Sequence, residues 1–435
     1  MLLRDAVHGL IVLEGAAEQL ILGLLETREV QRLRRVRQLG LASLVFPGAE
    51  HSRFSHALGA AHVMVRLLER LKEVQEGCPV EMRMSPMDEL DAVAAAFLHD
   101  VGHGPFSHLF EEVMPQARSH EAWGIDIVLD PSTDVNRVLS KLDRELPTRV
   151  AGLMQGKHRL PYLTRAISGM LDVDRCDYLL RDSQLTGVRY GIYDLDWLLR
   201  ALCLGELEDG SWVIAIEGRK GLPSIEGFFI ARHFMYQQVY HHKATRAAEA
   251  LVRGLFARLA ELLRDGARLP SAPKALRLAA LGEHVGLSDY LDLDDAVLLN
   301  SLAEWRRGPD ALLGEFCECF LNRRLPKTLP LPAAPSDDEL GAKVLSRARE
   351  IAHGRGLRED LWVWLDVTTD IPYAEPTDDT QQGMWVKLRH QPLLRLGDMS
   401  FLLGQLRNKV ITQPRLLFPE AIRSDVLHAV EGLLS

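Results

Sequence analysis

Ten residues, His99-Asp100-Val101-Gly102-His103-Gly104-Pro105-Phe106-Ser107-His108, limit what this chain can fold into more than any other stretch. They follow the apolar, alanine-rich run of residues 90–98, which predicts a buried helix. Gly102, Gly104 and Pro105 stop helices. His99 and Asp100 therefore fall at the last turn of a core helix, with His103 and His108 just beyond it. An ionised aspartate at a helix C-terminus is disfavoured by the macrodipole unless a cation offsets it. Imidazole and carboxylate groups beside so apolar a helix are also costly to bury without partners. A divalent metal would answer both problems. A bare His-Asp pair more often sits on the surface or caps a helix; what argues otherwise is the density of imidazole in this window, in a chain with 16 histidines.

At 435 residues the chain can bury a substantial core, as one large domain or two to three smaller ones. Its net charge of −9 argues against a general nucleic-acid binder. The five cysteines form no CxxC pair and read as reduced thiols, so a cytoplasmic location is expected. Residues 1–14 lack the pattern of a signal peptide, and no run approaches the ~18 apolar residues of a membrane span.

The apolar spacing predicts a helix over 16–40, whose Arg32, Arg34, Arg35 and Arg37 read as a solvated basic face, or else as a subunit interface or anion site. After the turn Phe46-Pro47-Gly48, His56 opens a long amphipathic helix through Leu71. Residues 77–87 read as a loop, 87–101 as the helix that delivers the His-Asp pair. Another helix begins at His120 after a break at Pro115. A further helix carries residues 172–182, with Asp174, Asp177 and Arg181 on one stripe and Tyr178 and Asp182 on another; its apolar flanks predict burial. Asp209-Gly210 signals a hairpin. Residues 228–251 read as one helix with Arg232, Tyr236, Tyr240 and Lys243 along a single face. The proline-rich stretch 325–335 reads as a linker or domain edge. Beyond it, strands are predicted at 361–367 and 384–388, with a polar loop over 371–382. The expected architecture is mostly α: a helical core over residues 1–325 and a smaller α+β region over 326–435.

Three separated pieces, His56, His99-Asp100 and Asp174, assemble two imidazoles and two carboxylates. Such mixed nitrogen and oxygen ligands suit one divalent transition metal, Mn, Fe, Co or Ni, and are compatible with Mg or Zn. The ion would make hydroxide available at neutral pH. His103, His108 and His120 are then surplus imidazoles, able to protonate a leaving oxygen or stabilise charge on phosphorus. Glu121 could orient His120.

The segments 51–56, 99–108, His120-Glu121 and 172–178 resemble the HD-domain phosphohydrolases, most closely the deoxynucleoside triphosphate (dNTP) triphosphohydrolases, a group that includes a vertebrate enzyme with an added sterile alpha motif. Residues 5–9, 31–40 and 46–48 resemble the same group in the same order. The likeness is strong over residues 1–255 and weak beyond 330. It implies an HD-domain core, with His56, His99, Asp100 and Asp174 as metal ligands. It implies catalytic roles for His103 and His120, and a place near the α-phosphate for His108. Gln38, Leu39, Tyr178 and Asp182 match residues that hold the deoxyribose, Asp182 at the 3′-hydroxyl and Tyr178 crowding the 2′ position. Arg53, Arg175 and Arg232 match phosphate contacts, and Tyr240 matches a residue beside sugar and base. The implied reaction is attack of metal-activated water on the α-phosphorus, giving deoxynucleoside and triphosphate. A homo-oligomer, dimer or tetramer, and a nucleotide activator are implied partners. Tyr236, in the same substrate-binding set, stands where the family carries histidine; Arg175 replaces lysine; Glu26 replaces the aspartate that reads an activating guanine, whereas Arg34 and Lys243 match. Two other readings stay open: hydrolysis of a dinucleoside polyphosphate, nucleoside monophosphate or cyclic nucleotide, and a non-catalytic nucleotide-sensing or nucleic-acid-binding regulator.

Overall fold

The computed structural model describes residues 1–114, 118–269, 272–332, 338–376 and 383–434. The chain opens with a hairpin, β1 (Leu2–Asp5) and β2 (Gly9–Val12), registered with Leu3 opposite Ile11. The helix expected over 16–40 is broken. It ends as α1 (Gly15–Leu25); Thr27 then caps α2 (Arg28–Arg32) by accepting from Val30 N–H, and a short 3-10 turn follows. Thr27 makes the break because its hydroxyl also donates to Leu24 O at 2.7 Å, closing the first helix while starting the second.

The basic face holds only in part: Arg34 and Arg35 are exposed, whereas Arg32 and Arg37 are not. Arg32 is buried, donating to the carbonyls of Leu293 (2.9 Å), Val101 (3.0 Å) and His103 (2.7 Å). Arg35 pairs with Asp294 at 2.5 Å, Arg37 with Glu50 at 2.7 Å, and Arg34 stacks over Phe54.

Helices α3 (Arg53–Val74) and α4 (Pro86–Leu98) form the centre. Ser85 and Asp88 make a reciprocal capping box at the start of α4, with Pro86 in the first turn, so its N-terminus is sharply defined. Everything from Asp91 to Leu98 is buried, and the alanines let neighbouring helices approach closely. Around this pair lie α5 (His108–Val113), α6 (His120–Leu129), α7 (Asp134–Leu142), α8 (Leu146–Met154), α9 (Pro161–Ile167), α10 (Val173–Thr186) and α11 (Leu195–Arg200). Pro115 lies outside the described residues.

The hairpin at Asp209-Gly210 joins β3 (Leu202–Glu206) to β4 (Trp212–Glu217). Then come α12 (Leu222–Met235), a π-helical turn over Tyr236–Tyr240, and α13 (Lys243–Arg264). The single helix expected over 228–251 is thus two helices meeting at a corner. His242 is extended and caps α13 through Nδ1, which accepts from Ala244 N–H. Of the proline-rich stretch, Lys327–Pro330 forms β5, while residues 333–335 lie outside the described residues. The strand expected over 361–367 starts later: Glu359–Trp362 is a helical turn, followed by β6 (Trp364–Asp370). Next come β7 (Trp385–Lys387), β8 (Leu394–Arg395) and β9 (Ile411–Phe418). Of the expected loop at 371–382, residues 377–382 lie outside the described residues.

The class is mostly α. One antiparallel sheet has the order β5-β9-β6; a second, β3-β4-β7-β8, pairs β7 parallel to β4, so a late strand completes a sheet begun near residue 202. One large apolar cluster surrounds α3, α4 and α10, and another surrounds α13 and helices between residues 274 and 430. Cys78, Cys176, Cys203 and Cys317 are buried free thiols, and Cys319 is half-buried. Among the described residues no helix is long and apolar enough to cross a membrane.

Candidate active site

Three helices deliver three ligand groups to one point. His56 comes from the first turn of α3, His99 from the C-cap of α4 and Asp174 from the first turn of α10. The two Nε2 atoms lie 3.2 Å apart, and Asp174 Oδ1 is 3.0 Å from that of His56 and 3.5 Å from that of His99. Both Nδ1 atoms are committed: His99 donates to Ala96 O at 2.8 Å and His56 to Asp177 Oδ2 at 2.8 Å. Both Nε2 lone pairs therefore face each other across a carboxylate. Burial opposes charge on His56, yet Asp174 and Asp177 together hold its pKa up at about 10. A divalent cation would take the place of that proton, and this donor set fits one. Asp100 sits at the rim, with Oδ1 3.4 Å from His99 Nε2 and Oδ2 3.7 Å from His56 Nε2 while also paired with Arg53.

Next to this triad His103, His108 and His120 cluster. His103 and His120 stack with centroids 3.7 Å apart, and His108 meets both edge-on at 5.1 and 5.0 Å. Burial, reinforced by the Arg53 guanidinium, drives the pKa of His103 and His108 below the usual imidazole range. His103 Nε2 is buried without a hydrogen-bond partner among the described residues. His120 enters because α6 approaches the loop after α4 closely: a methyl group on Gly102 would lie 2.0 Å from His120 O. The loop is held open by two consecutive left-handed residues, Phe106 (φ 56°) and Ser107 (φ 58°). Such conformations cost about 1–3 kcal/mol each for side-chain-bearing residues. Here Phe106 N–H donates to Asp295 and the Ser107 hydroxyl to Arg37 O, each offsetting part of it.

The group that holds His120 is Glu111, whose Oε1 accepts from Nδ1 at 2.9 Å. Glu121, expected in that role, stands 3.3 Å from Nε2 with its side chain largely exposed. Sequence reasoning missed Glu111. Its signal was the three-residue spacing from His108, which puts both on one face of α5.

All three imidazoles, Arg53, Asp100 and Asp174 line a cavity of about 730 Å³, within the usual size of small-molecule sites. Gln38, Leu39, Glu121, Arg175, Tyr178, Asp182, Tyr236 and Tyr240 line it as well. Asp182 accepts from His51 Nε2 and from Tyr240 Oη, both at 2.8 Å, and Tyr178 meets Tyr240 edge-on. Arg175 pairs with Asp172 and donates to Gly169 O at 2.6 Å. Arg232 is not brought to this wall. It pairs with Asp370, stacks on Tyr236, and lines an adjoining cavity of about 400 Å³ with Arg165 and Arg175.

The corner between α12 and α13 shapes the far wall. In an unbroken helix Tyr240 and Glu249, nine residues apart, would point in opposite directions at ~100° per residue. Both line the cavity instead. The same corner leaves Lys243 exposed and away from that wall, so the expected single face of Arg232, Tyr236, Tyr240 and Lys243 does not form.

The HD domain family model matches residues 53–182. The uncharacterized protein YwfO of Bacillus subtilis is 31% identical, across 97% of this chain and 93% of its own. The deoxynucleoside triphosphate triphosphohydrolase SAMHD1 of Homo sapiens is 27% identical over 284 residues, which span 58% of this chain and 44% of that one. A phosphohydrolase structure from Bacteroides thetaiotaomicron matches with a TM-score of 0.80 at 26% identity, over 97% of this chain and 100% of that one.

Proposed function

The chain belongs to the HD-domain family of phosphohydrolases, and from that premise we propose that it hydrolyses deoxynucleoside triphosphates to deoxynucleoside and inorganic triphosphate. The observation that carries the reading is the pairing of two ends in one cavity: His99 and Asp174, which meet the buried His56 behind them, at one, Asp182 with Tyr178 and Tyr240 at the other. Each Asp182 oxygen keeps a lone pair free beyond its contact with His51 or Tyr240, so a sugar hydroxyl can donate to it. The Tyr178 ring beside it favours a sugar without a 2′-hydroxyl.

A divalent ion at the triad would supply charge neutralisation and an acidified water. The remaining work falls to the chain. Arg53 and Arg175 orient phosphate oxygens in charge-assisted contacts. Asp100 and Asp174 set the negative charge at the site. The departing 5′-oxygen needs a proton, and His108 and His120 are the imidazoles placed to hold it. Bound phosphate beside His108 would favour its protonated form, against the effect of burial. Glu111 fixes which nitrogen of His120 faces the substrate. The adjoining arginine-lined cavity favours a second reading, a substrate with a longer phosphate chain such as a dinucleoside polyphosphate.

Product analysis tests the proposal. The metal-loaded protein is incubated with each dNTP, alone and with GTP or dGTP, and the products are resolved by chromatography. Equimolar deoxynucleoside and triphosphate are expected, lost in Asp174→Ala. No turnover of any dNTP at full metal content would overturn the proposal and turn attention to dinucleoside polyphosphates.

A further inference from the structure

Asp177 lies on the far side of His56 from the metal triad. Its Oδ2 accepts from His56 Nδ1 at 2.8 Å, and its Oδ1 accepts from His8 Nε2 at 2.6 Å. Arg181, one turn along α10, donates to both oxygens, Nε to Oδ2 at 2.8 Å and Nη2 to Oδ1 at 2.9 Å. The same guanidinium reaches Asp5 Oδ2 at 2.8 Å through Nη1. Asp5 in turn accepts from the backbone N–H of Val7 (2.8 Å) and His8 (3.0 Å), which fixes the turn between β1 and β2 that presents His8.

The network is buried and tightly packed. Asp177 and His56 are fully buried, and Arg181 is 1% exposed. Gly59 lies three residues beyond His56 on α3, and a Cβ there would stand 1.8 Å from Asp177 Oδ1 and 2.4 Å from Arg181 Nη2. The carboxylate thus has four donors and no room to swing away. His8 and Asp5, however, lie outside residues 53–182, the span matched as an HD domain.

We propose that Asp177 and His8 are positioning residues for the metal, so that the N-terminal hairpin is part of the metal centre. Asp177 holds His56 in the tautomer that carries its proton on Nδ1, which leaves Nε2 free to coordinate. His8 holds Asp177. A ligating histidine generally depends on such an outer carboxylate, and losing it weakens metal binding by about 10–100-fold. The inference rests on the metal reading of the triad but does not depend on the substrate.

The test is Co²⁺ binding by the whole protein, measured against a competing chelator and by visible absorption of the bound ion. Asp177→Asn and His8→Leu are expected to weaken Co²⁺ binding by ~10–100-fold and to shift the absorption bands. His8→Gln, which keeps an N–H donor, is expected to recover most of the loss. A merely structural role would lower the melting temperature of the metal-free protein in both His8 variants without separating them in affinity or spectrum. Co²⁺ affinity within twofold of wild type in both His8→Leu and Asp177→Asn would overturn the inference. Should Asp177→Asn fail to fold, the Leu and Gln variants of His8 decide alone, equal affinities counting against it. A wild-type protein that takes up no Co²⁺ would overturn the metal reading itself, a different outcome from normal wild-type uptake with indifferent variants.

Discussion

Replacing Arg32 by methionine should destabilise the protein by about 3 kcal/mol or more, although the residue touches no carboxylate directly. Its guanidinium serves three carbonyls, those of Leu293, Val101 and His103, all deep in the structure. Methionine keeps an apolar stem in place of the arginine's but offers no donor. Each buried acceptor left without a partner costs about 1–3 kcal/mol. Against this stands the relief of no longer burying a cation, which burial already disfavours strongly enough to push the Arg32 pKa down. Three orphaned carbonyls outweigh that relief if even two of them stay dry. For 435 residues unfolding as a unit, an entropy of about 2.1 cal/mol/K per residue converts 3 kcal/mol into a fall of roughly 3 °C in Tm. Calorimetry or denaturant titration of Arg32→Met, beside Arg34→Met as the control, measures it. Arg34 lies on the surface over Phe54 and should cost under about 1 kcal/mol. Equal, small effects in the two variants would refute the reasoning and restore the solvated basic face. Two of the three carbonyls belong to the loop after the His-Asp pair, so a correct result should also bring a loss of turnover.

Three further outcomes are expected. Glu111→Gln should lower kcat by about a hundredfold with metal content and KM little changed, as measured by steady-state kinetics and metal analysis; an unchanged kcat would remove Glu111 from the proton path. Stripping the metal with a chelator should abolish turnover, and restoring Mn²⁺ or Co²⁺ at a hundred times its Kd should stabilise the fold by about 2.7 kcal/mol in a thermal shift assay. The third concerns pH. Burial beside His8 pushes the His62 pKa down to about 4, below the ~6.5 of an unfolded histidine. The unfolded chain therefore binds the extra proton first, and this group's contribution to stability is lost as pH falls from about 6.5 to 4. His62→Leu should flatten the decline in Tm over that window, and identical pH profiles would contradict it.

The readable part of the molecule was the part encoded by local pattern. The alanine-rich run before His99 and the crowding of imidazoles after it marked the central helix and the His-Asp pair at its end, because a buried helix ending in His-Asp has few other solutions. Local pattern also misled. Residues 16–40 keep helical apolar spacing through Thr27, and only the capping geometry of that hydroxyl shows the break. Residues 228–251 keep it through the π turn, where nothing in side-chain periodicity marks the extended His242. Arg32 read as one of a basic cluster because its acceptors lie up to 261 residues away. The His8–Asp177 contact was invisible for a related reason: it is a single hydrogen bond across 169 residues and leaves no repeat; Glu111 left only its spacing from His108, which does not by itself point to His120. Arg232 was expected at the phosphates from likeness and from a helix face shared with Tyr236 and Tyr240, and the partner it pairs with, Asp370, sits on a strand 138 residues later.

The cysteines described with the fold make the chain its own reporter of breathing. Burial pushes the Cys176 and Cys317 thiols up, so each is protonated, shielded and inert toward an alkylating reagent while its surroundings stay closed. Cys176 belongs to the apolar cluster around the metal helices, and Cys317 to the cluster around α13. Labelling therefore proceeds only through opening events, and its rate at each thiol reads the free energy of opening that cluster. Matching rates would mean that the two clusters open in one cooperative step; faster labelling at Cys317 would mean that the later part of the chain opens while the HD core stays shut.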